Sequence, residues 1–189
     1  MKRLAILFIA VIVMPPLVPG EQSPSPGNGG VSALGALLAR DLIITLPAVR
    51  RFFPEATQEM STCQNATAVR NPEATRSVIY ASSDKSKKVT ISVDRYATSS
   101  DASAAYDEAV QKSRSVPGFK PVDAPNLGSH SFIGTVTQGT ETHIGLGALR
   151  GTSIVGLTLV GYKPSADTVA KLISLAGEQE NALRTAPRQ

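Results

Sequence analysis

Cysteine is almost absent from this 189-residue chain: Cys63 stands alone, so no intramolecular disulfide can form and an apolar core must hold the fold. That single thiol is open to three readings: a buried packing group, an intermolecular bridge or a reactive nucleophile. Histidine is scarce as well, with only His130 and His143. Nucleophilic hydrolysis would have to draw on one of them, and the G-x-S-x-G elbow that presents a catalytic serine is missing. Metal binding needs three or four convergent ligands, whereas the best local set, Glu141 with His143, supplies two. Gly145, Gly147 and Gly151 have the wrong spacing for a dinucleotide fingerprint and fall inside a strand pattern. The chain therefore implies no cofactor and no metal, and reads as non-enzymatic.

Long hydrophobic runs are lacking too. The longest extends from Leu4 to Met14, is preceded by Lys2 and Arg3, and is stopped by Pro15 and Pro16. A spanning helix needs about twenty apolar residues, so the pattern fits a secretory signal with cleavage after Gly20, placing the mature protein in the periplasm or outside the cell with no transmembrane segment. No cysteine follows the apolar run, which excludes a lipobox. Loss of Lys2 and Arg3 with the signal takes the net charge from +4 to +2. The one dense basic patch, Lys85, Lys87 and Lys88, sits on a polar turn and makes no nucleic-acid footprint.

What is present falls into three parts: a signal at 1–20, a linker at 21–30 reading EQSPSPGNGG, and one domain over 31–189. Leu34, Leu37 and Leu38 begin an apolar segment that Leu42 to Ile44 continue, and Thr45 with Pro47 opens a short helix bearing Val49, Phe52 and Phe53 until Pro54. Gln58 to Glu73 is polar and aperiodic, and reads as an irregular connection. Period-two patterns then predict a hairpin from Ser77 to Ser82 and Lys88 to Ala97, and a helix follows at Asp101 to Lys112. After a loop from Val116 to Gly128 come three strands, at 131–137, 142–150 and 153–162, and a last helix from Ala166 to Arg184. The motif Tyr96-x-x-Ser99-x-Asp101 recurs as Tyr162-x-x-Ser165-x-Asp167, either as repeated capping chemistry or as a diverged duplication. The expected fold is a two-layer α+β domain, an antiparallel sheet of about five strands with helices packed on one face.

Val89 through Tyr96, then Asp101, Ala105 and Tyr106, Leu127-Gly128 leading into Ser131-Phe132, the glycine-rich strands and the terminal helix together carry a likeness. In these the chain resembles small exported α/β envelope domains near the PsbP-like and LpqN-like folds, and extracellular sensor domains of bacterial receptor kinases. The resemblance implies a non-enzymatic envelope domain and carries over no ligand residues.

Alternation along the strands puts His143, Gly145 and Gly147 on one face with Thr158, Ser92 and Asp94, opposite the aliphatic residues. This face is expected to be free of helices and to receive an envelope protein or a small molecule. The competing readings are a structural scaffold of the envelope and a hydrolytic enzyme using His143 or Cys63. Export is directly checkable: mass spectrometry of the exported protein should find an N-terminus near Glu21, and a mature chain that begins at Met1 and partitions with membranes contradicts it.

Overall fold

A computed structural model describes residues 42–63, 72–123 and 130–185. The expected signal, the linker and the segment carrying Leu34, Leu37 and Leu38 lie outside the described residues. The elements run α1 (Leu46–Arg50), β1 (Gln58–Cys63), β2 (Ala74–Ala81), β3 (Lys88–Arg95), α2 (Ser99–Arg114), β4 (Lys120–Val122), β5 (His130–Gln138), β6 (Glu141–Arg150), β7 (Ser153–Val160) and α3 (Ala166–Thr185). All pairings are antiparallel, in the order β1-β2-β3-β7-β6-β5-β4.

Seven strands replace the five expected, and each addition has a local reason. The sequence of β1 reads as irregular because it is polar and carries a register shift between Glu59 and Ser61, which breaks the period-two signal. The sequence of β4 reads as loop because Pro121 interrupts it. An edge strand tolerates that proline, since its outer side needs no ladder hydrogen bond.

The two-layer expectation is also overturned, because helices cover both faces. Val89, Ile91 and Val93 of β3, Val155, Leu157 and Leu159 of β7, and Ile144, Leu146 and Ala148 of β6 form one aliphatic face. Against it pack Leu172, Leu175 and Ala176 of α3, with Val49 of α1 and the adjoining Phe53. Helix α2 lies on the opposite face, where Ala102, Ala105, Tyr106, Ala109 and Val110 meet Leu149, Ile154 and Phe132. Four antiparallel steps separate β3 from β4, so the two strands point the same way and α2 is the crossover between them. The shapes match: a stripe rich in alanine lies over the glycine-bearing face, and the leucines of α3 lie over the branched aliphatics.

The corners follow the capping chemistry read from the sequence, with one shift. Ser165 Oγ accepts from Thr168 N at 3.2 Å. At α2 the cap is Thr98 instead of Ser99, its hydroxyl accepting from Asp101 N at 3.1 Å. The stretch Leu42 to Ile44 is a buried strap without regular structure, so its backbone groups need partners from elsewhere. Gln179 Oε1 accepts from Ile44 N at 3.1 Å while its amide donates to Leu42 O, and Tyr80 OH donates to Ile44 O at 2.7 Å. Burial pushes the Tyr80 phenol up to about 12.

The β2–β3 tip is docked onto the body. Asp84 accepts from Ser82 Oγ, Ser86 N and Ser86 Oγ, which hold its carboxyl down at about 2. Lys87 ion-pairs with Glu55 at 2.7 Å and lies 5.2 Å from the Tyr162 ring centre, so this lysine of the basic patch is held against the body. Gly161, with φ +80°, seats this tip: a Cβ there would stand 2.1 Å from Ser86 O. Gly151, with φ +57°, has nothing within 4 Å. Gly161→Ala should therefore cost at least about 3 kcal/mol in urea unfolding, against about 1–2 for Gly151→Ala. Equal losses would mean the tip is not seated on Gly161.

Candidate ligand site

Strand registry arranges the α2 side of the sheet in rows. One row reads Thr75, Asp94, Ile154, Leu149, His130; the next reads Ser77, Ser92, Gly156, Gly147, Phe132; the third reads Ile79, Thr90, Thr158, Gly145, Gly134. His143 stands one row further, opposite Val160 and Val136. The six residues singled out from the sequence, Ser92, Asp94, His143, Gly145, Gly147 and Thr158, thus share a face. Ser77, Ser92, Thr158 and Asp94 are 1%, 2%, 3% and 6% exposed, and Gly145, Gly147 and Gly156 are buried.

The expectation of an open, helix-free face is overturned by α2, which packs chiefly over β6 and β7. Phe119, just beyond α2, closes the β5 end: a Cβ on Gly134 would stand 2.1 Å from its ring, so only glycine lets the ring lie on the sheet there. The rings of Phe119 and Phe132 are 6.0 Å apart.

Beside the apolar contacts of α2 lies a polar group of side chains. Asp94 accepts one hydrogen bond, from Thr75 Oγ1 at 2.8 Å, and enters no ion pair among the described residues. Burial pushes its carboxyl above the usual aspartate range, with the Thr75 bond opposing. Ser92 Oγ makes only a long contact to Gly156 O, at 3.4 Å. Ser77 Oγ is buried with no partner among the described residues. Such a hydroxyl forfeits its hydration without replacement.

Thr75, Ser77, Gly134 and Phe119 escaped the sequence reading. The first two were legible in principle, since a hairpin closed at Ser82 and Lys87 puts Ser77 opposite Ser92 and Thr75 opposite Asp94. Phe119 carries no such signal, because it lies in a loop pattern.

The groups of the hydrolytic alternative are kept apart. The backbone of Cys63 pairs with Ser77 on edge strand β1, and His143 lies four strands away on β6, about 19 Å by strand spacing. His143 is half-buried, and burial holds its imidazole below the ordinary histidine value despite Glu141 at 3.9 Å. His130 is exposed, its ring 6.1 Å from that of Tyr106. Among the described residues no three His, Cys, Asp or Glu side chains converge as a metal site, and no helix is long and apolar enough to cross a membrane.

Asp94 gives the face a measurable pH signature. Its native carboxyl holds a proton above the ordinary value of 3.8, so over that window the native state binds more protons than the unfolded chain. Stability must then fall as pH rises through the window and level off above it. Glu180, also raised by burial, adds a slope of the same sign, so the variant is the control. Asp94→Asn should be more stable than the parent at neutral pH and close to it near about pH 3, where both forms of the parent are protonated. A variant less stable at neutral pH contradicts this assignment.

No protein-family model matches the sequence, and no curated protein does. Among solved structures, the chain is similar to the crystal structure of the extracellular domain of PknH from Mycobacterium tuberculosis, with 10% identity and a TM-score of 0.57, over 76% of this chain and 95% of that one. At that identity the likeness is one of fold. It agrees with the resemblance to extracellular bacterial domains and does not extend to the PsbP-like or LpqN-like folds.

Proposed function

We propose that the chain is an exported envelope protein, a non-enzymatic binding or sensing module that takes its ligand on the hydroxyl- and glycine-bearing face beside α2. The apolar run after Lys2 and Arg3 supports export. The fold-level likeness to an extracellular domain supports the same location. The observation that carries the reading is the buried Ser77 Oγ, unpartnered among the described residues, in one row with Ser92 and the side-chain-free positions Gly156 and Gly147 and one row from Asp94. Unsatisfied polar groups lower stability, and a fold tolerates them where a ligand completes their hydrogen bonds.

The scaffold reading makes the opposite demand, because a purely structural face gains from each of its hydroxyls. Ser77→Ala therefore separates the two. On the binding reading it raises stability by about 1 kcal/mol in chemical denaturation, since it removes an unsatisfied buried group. A loss of similar size would make the hydroxyl structural and remove the support for a ligand there.

A further inference from the structure

The face holds a buried carboxylate and several hydroxyls, yet among the described residues no cation pairs with them. Asp94 has two oxygens with about four acceptor positions, of which Thr75 fills one. The described neighbouring strands send their basic residues elsewhere. Arg76 on β2 pairs with Val93, and Arg95 on β3 follows Asp94, so alternation turns both to the aliphatic side. Lys88 stands three rows from Asp94, beside Val160 and His143. Strand β7 carries no basic residue, and Arg150 of β6 faces Glu180 at 3.9 Å. Within α2, Lys112 pairs with Glu108 at 2.8 Å.

We infer that the ligand of this face presents a cationic amine to Asp94, with the hydroxyls of Ser77 and Ser92 as further acceptors for its N–H groups. This rests on the reading of the face as a ligand site. An ammonium carries three donors and no acceptor, which complements one carboxylate and two hydroxyl oxygens. A neutral, hydroxyl-rich ligand would satisfy the serines but leave the buried charge without a counter-ion, the costly arrangement. An anionic ligand would meet Asp94 with no arginine or lysine in the three rows to offset it. Gly156 and Gly147 follow Ser92 along its row and put no side chain between it and Phe132, the direction an alkyl stem would take.

The test is an NMR titration of the ¹⁵N-labelled chain from Glu21 with butylammonium chloride, and in parallel with 1-butanol and sodium butyrate. Butylammonium should move the amides of Ser77, Ser92 and Gly156 saturably and bind at least about ten-fold more tightly than butanol, as expected of a charge-assisted pair. Asp94→Asn, an isosteric change that keeps an acceptor for Thr75, should erase that difference. Ser77→Ala, read on a folded spectrum, should weaken butylammonium alone. If butanol or butyrate binds the parent as tightly as butylammonium at these amides, the amine assignment falls while the site stands. If none of the three moves them, both fall.

Discussion

The central ladder of β3, β7 and β6 has to present two faces of opposite chemistry from the same few residues, and the rest of the molecule is arranged around that demand. Strict alternation puts Ile91, Leu157 and Leu146 on one side, and Ser92, Gly156 and Gly147 on the other. The first side closes as a core of branched aliphatics under the leucines of α3. The second cannot close in this way, because its middle positions carry hydroxyls or nothing. It is covered by α2, half of whose buried residues are alanine, with apolar contact concentrated at Leu149, Ile154 and Phe132.

This division of labour explains where the polar liabilities lie. Asp94 and Ser77 are buried on the α2 side with one hydrogen bond and none, respectively, among the described residues. On the aliphatic side a buried polar side chain such as Gln179 is spent on the backbone of the Leu42–Ile44 strap. One set of polar groups secures the chain. The other is left short of partners next to glycines, as a site awaiting a ligand would be.

Much of this was legible in the sequence wherever the physics is local. Period-two alternation located β2, β3, β5, β6 and β7 and placed Ser92, Asp94, His143, Gly145, Gly147 and Thr158 together. The turns at Gly139 and Gly151 follow from residues that accept positive φ. Long-range facts were not legible. β1 and β4 exist as strands because neighbours pair with them, against a polar sequence in one and a proline in the other. Nor does the α2 stripe state which face it will cover: Ala102, Ala105 and Ala109 fit either side, and the outcome depends on α3 filling the aliphatic one.

The central claim is that the aliphatic face holds the fold while α2 is a cover over a polar floor. Native-state amide hydrogen exchange tests it most directly, because it reports the free energy at which each helix opens. Amides of α3 and of β3, β7 and β6 should exchange only through global unfolding. Those in the middle of α2 should exchange through a partial opening at least about 2 kcal/mol below the global value. Exchange of α2 together with α3 at the global free energy would contradict the account.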